Sequence, residues 1–351
     1  MHDAQSPYSL GYANVPLKGW TISANILGAD TQRWLDEPPH SIKTCIMNRT
    51  QFDNSLERIL DGLNRHVTGA IPIAHEHGQR NRIILLESRT GPLVLKIYHN
   101  AKTWTTEVRA LEILGGNGVP VLEEKSGADE RTLWIAMSYL PHSPWGPPCN
   151  IPSDVFIDFG RHLRKIHDHQ NHKFGSISED GAQYLHWEQY LEESFFNYYL
   201  YISQRNVLSL EELRLIMVFY EDMVRTVAHI SRASLIHRDL RPANIALSAR
   251  DSWAYIGLFD FEHAIFGDPL FDIVRLLDDT ISGKQDWEEA FWTGYGTDEA
   301  GRLIFHQRHQ FYAFLRHLGA LRFALENNDI PFARASKASL NNILSANLCT
   351  S

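Results

Sequence analysis

Between Leu235 and Ala264 the chain gathers oxygen-bearing side chains suited to phosphoryl chemistry. His237, Asp239 and Asn244 lie in "LIHRDLRPANIAL", and Asp260 follows in "LFDFEHA", sixteen positions after Asn244. The spacing suits a loop leaving one strand, with Asp239 and Asn244 facing a common cleft. Phosphoryl transfer asks little covalent chemistry of a protein. It requires the acceptor hydroxyl to be oriented and Mg²⁺ to be held against a nucleotide's phosphates by hard oxygen ligands. Asp239 is then the candidate catalytic base or orienting carboxylate, Asn244 a neutral metal ligand and Asp260 the charged one. A lone His-x-Asp-x-x-x-x-Asn is a weak signal, since a buried Asp and a turn-forming Asn share its spacing. A strand and an Asp-Phe pair within twenty residues make the combination specific.

Lys96 closes the apolar run "LVLKIY", where a compact ammonium can reach phosphates, and Glu107 follows eleven positions later on a helical pattern. A lysine among apolar neighbours requires a partner, so Glu107 is expected to pair with it and position it.

The elements around these residues read as two lobes in an α+β plan. "SLERILDGLNRHV" has helical spacing of its apolar residues. "RIILLES" and "LVLKIY" flank the turn residues Gly91-Pro92 as a hairpin. "TWTTEVRALEIL" reads as a helix, and "VPVLEEKSGADERTLWIAMSYL" as two more strands. "PHSPWGPPCNIPS" carries five prolines and marks a boundary. Beyond it, a helix capped by Ser153 and Asp154, helical patterns at 187–203 and 210–232, two short strands around the motif and mostly helix after 271 make a larger lobe. The expected organisation is an N-terminal extension at 1–50, a nucleotide-binding lobe at 51–140, a linker at 141–152 and a helical lobe carrying the catalytic loop and acceptor site at 153–351.

Together, Lys96, Glu107, "HRDLRPAN" and "DFE" resemble the kinase-like superfamily. Glu262 occupies the Gly position of a protein kinase's Asp-Phe-Gly, and Asp272 follows Asp260 by twelve residues. No Ala-Pro-Glu element occurs, and that interval is too short to dock a peptide. "GDPLFDI" (267–273) resembles the pattern of aminoglycoside phosphotransferases and their small-molecule kinase relatives, and "DFE" also occurs in choline and ethanolamine kinases. The resemblance spans roughly residues 60 to 320. It implies a two-lobed protein-kinase-like fold, with a small β-rich lobe holding one inserted helix and a mainly helical second lobe. It also implies transfer of the γ-phosphate of ATP or GTP to a small-molecule hydroxyl with Mg²⁺, and a role for Asp272 in buttressing the catalytic loop. Gly69 would begin the loop that covers the phosphates through backbone N–H groups. The backbone near Ser138, Tyr139 and Leu140 would read the nucleotide base. Arg238 departs from the Gly usual after the motif His.

The resemblance makes an antibiotic or similar natural product the leading acceptor. The alternatives are a metabolite kinase for an amino alcohol or sugar, or a nucleotide-binding pseudokinase. In the helices after Asp272, Asp278, Asp279, Asp286, Glu288, Glu289, Asp298 and Glu299 would suit an amino sugar, whereas Trp287, Trp292 and Tyr295 would suit a quaternary ammonium or a base. Composition does not choose between them.

Bulk properties narrow the partners. The chain has 351 residues, 44% hydrophobic and 21% charged, with net charge −9. That size accommodates two lobes, and the charge gives no reason to expect a nucleic-acid partner. The three cysteines, Cys45, Cys149 and Cys349, make neither a metal pair nor a disulfide framework. No signal-like start or membrane-length apolar run occurs. A cytoplasmic monomer or homodimer without a membrane partner is expected. "AHEH", with His75 and His77, reads as chance clustering, and "HLRKIHDHQNH" as a solvated helix end.

Overall fold

The computed structural model describes residues 54–63, 67–73, 81–128, 130–146, 149–178 and 181–348. The expected extension at 1–50, the "AHEH" cluster, Cys45 and Cys349 lie outside them. The order begins α1 (Asn54–Gly62), β1 (Val67–Ile73), β2 (Arg82–Ser88), β3 (Leu93–Tyr98), α2 (Ala101–Leu114), β4 (Leu122–Lys125) and β5 (Leu133–Ser138). The five strands form one antiparallel sheet in the order β1-β2-β3-β5-β4. Alternation along β2 buries Ile84 and Leu86 against Leu56, Ile59 and Leu60 of α1, with Leu93, Leu95 and Trp134 in the same cluster. The opposite side carries α2, whose Val108 and Leu111 join the larger core. Asn100 caps α2 by accepting from the Lys102 N–H, and Gly115 ends it with φ 58°, the left-handed geometry that favours glycine.

The proline-rich stretch is fastened to the second lobe. Ser143 N–H donates to the Leu247 carbonyl (2.7 Å), and Trp145 Nε1 donates to the Ile245 carbonyl (2.8 Å). Next come α3 (Asp154–His167), the short strands β6 (Gln170–Asn171), β7 (Phe174–Ser176) and β8 (Gln183–Tyr184), α4 (Trp187–Ser203) and α5 (Leu210–Met223). Ser153 makes no side-chain cap bond to α3, contrary to the capping expectation. The helix expected over 210–232 ends at Met223 and tightens into a 3₁₀ turn, Val224–Val227.

The motif strands follow as β9 (Ala233–Ile236), β10 (Ile245–Ser248), β11 (Ala254–Leu258) and β12 (Ile265–Gly267). β10 and β11 pair as a hairpin, and β9 and β12 belong to a small sheet ordered β6-β9-β12-β7-β8. The remainder is helical: α6 (Pro269–Arg275), a π-helical turn (Leu276–Thr280), α7 (Gln285–Tyr295), α8 (Glu299–Glu326) and α9 (Ile330–Leu348). α3 and α7 touch backbone to backbone. A Cβ on Gly294 would lie 1.9 Å from the Ile157 carbonyl, and one on Gly160 would lie 2.3 Å from the Phe291 carbonyl, so both positions require glycine. The buried aromatic rings Phe156, Phe159, Trp187, Phe195, Phe291 and Phe314 fill the core of this lobe. Among the described residues, no helix is long and apolar enough to cross a membrane.

Candidate active site

The catalytic-loop residues sit where two short strands stop. β9 ends at Ile236, and the chain turns through His237–Arg241 into a 3₁₀ turn, Pro242–Asn244, before β10 begins. The turn is held from below by Asp272 on α6. Its Oδ2 accepts from the His237 N–H (2.6 Å) and its Oδ1 from the Arg238 N–H (2.5 Å). His167, at the end of α3, approaches the same Oδ2 at 3.3 Å and bonds the Tyr295 hydroxyl through Nδ1 (2.7 Å). Although buried, Asp272 is held below the usual carboxylate range: desolvation pushes upward, but the bonds and charge of the two histidines outweigh it. The buttress expected at Asp272 is therefore present in the geometry. The reading of "HLRKIHDHQNH" as wholly solvated is corrected at His167, which is 2% exposed; it is the last inward position of an amphipathic helix.

His237 connects the loop to the next motif, with Nε2 lying 3.0 Å from the Phe259 carbonyl. Phe259 precedes Asp260, whose φ of 71° is left-handed, a conformation that an Asp side chain tolerates better than most. Arg238 has φ 68°, in the left-handed region that favours glycine. Its guanidinium lies near the faces of Tyr190 (5.9 Å) and Phe271 (5.8 Å), where cation–π attraction offsets part of the strain.

Asp239 is 8% exposed and Asn244 2%. Asn244 Nδ2 donates to both the Asp239 Oδ2 (2.7 Å) and the Asp239 carbonyl (2.9 Å). Spending the amide nitrogen this way leaves the amide oxygen as the atom to offer a metal. Asp239 also faces two arginines that the sequence reading did not single out. Arg241 Nε lies 3.0 Å from Oδ2, and Arg275 Nη1 lies 3.0 Å from Oδ1. Arg241 is visible in "HRDLRPAN", but Arg275 is thirty-six residues away in sequence, and no local pattern announces that contact.

On the other side, Lys96 Nζ bonds Glu107 Oε2 (2.6 Å) and Asp260 Oδ1 (2.6 Å) and lies 2.9 Å from Glu262 Oε2. The Tyr98 hydroxyl donates to the same Glu107 oxygen (2.6 Å). Burial works against the Lys96 charge, but the three carboxylates outweigh it and raise its pKa above the ordinary lysine value. Asp260, despite its own desolvation, is lowered to about 2 by the Lys96 ammonium. Desolvation raises Glu107, with Lys96 opposing. Asn81 Nδ2 donates to Glu262, a residue noted in the sequence only for occupying the Gly position.

Glu107, Asp260 and Glu262 each bring one oxygen into a group no wider than 4.8 Å. With Asn244 beside Asp239, the donors are all hard oxygens, the chemistry that suits Mg²⁺.

Gly69 lies within β1, paired with Glu87 on β2 beside a register shift. Ser138 ends β5, and its N–H donates to the Val121 carbonyl (2.9 Å), while the Tyr139 N–H reaches the Pro92 carbonyl (3.4 Å). These two backbone donors are therefore engaged within the lobe. The Leu140 carbonyl is bonded to His142 Nδ1 (2.8 Å), and the His142 ring lies 5.1 Å from Phe259 and 6.0 Å from Tyr139.

The acids suggested for an amino-sugar pocket are largely occupied. Arg316 takes Asp279 through Nη1 (2.7 Å), and His309 takes Asp278 (2.7 Å). Arg302 takes Glu289 (2.7 Å), and Asp298 caps α8. Trp287, Trp292 and Tyr295 are buried in the core, so they do not form an exposed aromatic cage.

A family model described as a phosphotransferase enzyme family matches residues 73–306, and the chain belongs to that family. Its fold is shared with solved small-molecule kinases. A protein from Thermobifida fusca assigned as a fructosamine-3-kinase is 18% identical, with 83% of this chain and 97% of that chain covered at a TM-score of 0.62. The aminoglycoside phosphotransferase APH(4)-Ia, in a ternary complex with AMP-PNP and hygromycin B, is 15% identical, with coverage of 84% and 98% and a TM-score of 0.62. The GDP and kanamycin complex of APH(2'')-IIIa is also 15% identical, with coverage of 84% and 99% and a TM-score of 0.59. Comparison with curated protein sequences finds no match. By family, the chain is a small-molecule phosphotransferase with a protein-kinase-like fold.

Proposed function

We propose that the chain transfers the γ-phosphoryl group of ATP or GTP, with Mg²⁺, to a hydroxyl of a small molecule. The leading acceptor class is an antibiotic or similar natural product, supported by the hygromycin B and kanamycin bound to structural neighbours. A metabolite acceptor such as a sugar amine is the second reading, favoured by the neighbours assigned as fructosamine-3-kinases. In this reading the strand-rich residues 51–140 receive the nucleotide, 141–152 link the lobes, and 153–351 supply the catalytic loop and acceptor site.

The observation that carries the proposal is the joining of distant motifs around Lys96, with Glu107 and Asp260 each 2.6 Å from its ammonium. A charged Lys96 would bind the phosphates, held in place by Glu107. Asn244 and Asp260 would hold Mg²⁺, which when bound neutralises phosphate charge. Asp239 would accept the hydroxyl's hydrogen bond and orient it for attack, taking up its proton as the new phosphorus–oxygen bond forms and the bond from the γ-phosphorus to the bridging oxygen breaks, releasing ADP or GDP. Asp272 would fix that carboxylate by accepting from the His237 and Arg238 N–H groups that lead into it.

The test is phosphate transfer measured by mass on a panel of hydroxyl compounds, together with nucleotide affinity. Asp239→Asn should abolish transfer and keep nucleotide binding, whereas Asp260→Ala should lose metal-dependent nucleotide binding as well. Near-native turnover in both variants would overturn the assignment.

A further inference from the structure

The carboxylate assigned to orient the acceptor is covered by cations. Asp239 Oδ1 meets Arg275 Nη1 and Oδ2 meets Arg241 Nε, both at 3.0 Å, while Asn244 Nδ2 also occupies Oδ2 at 2.7 Å. The side chains of Arg241 and Arg275 are 28% and 32% exposed, against 12% for that of Asp239. A molecule approaching the carboxylate therefore meets guanidinium first.

The position of Arg275 is built by the fold. It is the last residue of α6, where the backbone passes into the π turn Leu276–Thr280. Turns of this kind are rare and concentrate at functional sites. Thr280 Oγ1 donates to the Leu240 carbonyl (2.9 Å), tying the π turn to the catalytic loop beside Asp239. The neighbouring acids do not hold Arg275 away from that carboxylate. Arg316 takes Asp279 at 2.7 Å, while Arg275 stands 3.8 Å from it. His309 and Arg316 both approach Asp278.

Oδ1 carries one cation and has room for a second donor, so a hydroxyl accepted by Asp239 comes to lie beside the guanidiniums. Their fork-like N–H donors match an oxyanion. An ammonium on the acceptor would instead face two like charges, with Asp278 and Asp279 already paired.

Resting on the kinase reading above, we propose that Arg241 and Arg275 receive an oxyanion carried by the acceptor near the hydroxyl that Asp239 orients. The preferred acceptors are thus acidic, bearing a carboxylate or phosphate, rather than polycationic, which narrows the small-molecule class to members unlike the aminoglycosides bound by the structural neighbours.

The experiment uses the full chain with Mg²⁺ and AMP-PNP and measures binding of four matched probes: gluconate, gluconate 6-phosphate, neutral glucitol and cationic glucosamine. The two anions should bind at least about tenfold more tightly than glucitol, with glucosamine weakest. Arg241→Gln and Arg275→Gln should each weaken the anions by about ten- to a hundredfold, the range for loss of a charged hydrogen bond, and barely change glucitol. The ratio of the two anions distinguishes carboxylate from phosphate. Equal affinity for all probes, tighter binding of glucosamine, or anion binding indifferent to both substitutions overturns the proposal. Transfer from ATP to the same probes is followed separately. Anion binding without transfer to any hydroxyl would count against the kinase reading and leave the oxyanion site standing.

Discussion

The two halves of the candidate site are near mirror images in charge. On the nucleotide side, one buried ammonium, Lys96, lies among Glu107, Asp260 and Glu262. On the acceptor side, one carboxylate, Asp239, lies between Arg241 and Arg275. The first cluster has negative charge in excess and is suited to gain a metal cation. The second has positive charge around its central group and is suited to an oxyanion. The difference in burial matters as much as the sign. Lys96 is 3% exposed, so its pairing is obligatory, whereas the partly exposed arginines can exchange partners with solvent or ligand at little cost.

Breaking the acceptor side at its centre should have the largest effect. Asp239→Asn is expected to lower kcat/KM by about 10²–10⁴-fold with nucleotide affinity retained, as checked by steady-state kinetics and equilibrium binding. On the nucleotide side the expected failure is of stability. Lys96→Met strands Glu107 in the interior and should cost about 3–5 kcal/mol in chemical unfolding. Adding Glu107→Gln should recover part of that loss, and a double-mutant cycle showing simple additivity would sink the claimed pairing. Between the two clusters, Asp272→Asn should cost about 1.5–3 kcal/mol, because the His237 and Arg238 N–H groups lose a charged acceptor. Its activity should fall further than its melting temperature explains.

A further prediction is acid sensitivity away from the proposed metal ligands. Burial, and then Lys165, lower His162 to about 4, while burial and Arg316 lower His317 to about 3, against an ordinary 6.5. In that window the unfolded chain binds protons that the folded chain does not, so stability is full above about pH 6.5 and declines as pH falls. Each histidine contributes a slope of up to about 1.4 kcal/mol per pH unit. Urea unfolding at stepped pH should show the slope, and His317→Phe should flatten it.

Much of this architecture was legible because local pattern and chemistry coincide. β2 alternates and shares a turn with β3, α2 carries its apolar face beside Glu107, and "HRDLRPAN" with "DFE" is a dense motif. The unreadable parts depend on long-range approach. Arg275 reaches Asp239 only because the π turn docks on Leu240. His167 is buried by the meeting of α3 and α6, though its own segment is polar. That Gly69 sits within β1 depends on its pairing with β2, which its residue type does not announce. The acids after Asp272 would by type suit an amino sugar, but Arg302, His309 and Arg316 of α8, far along the chain, occupy Glu289, Asp278 and Asp279.

The most direct test of the account is Mg²⁺-dependent transfer of phosphate from ATP or GTP to a screen of acidic, neutral and amino-bearing hydroxyl compounds, with Asp239→Asn alongside. The account predicts a phosphate adduct on at least one compound with the native chain and none with the variant, while both bind nucleotide. Equal adduct formation by the two proteins, or nucleotide binding without transfer to any compound, would contradict it.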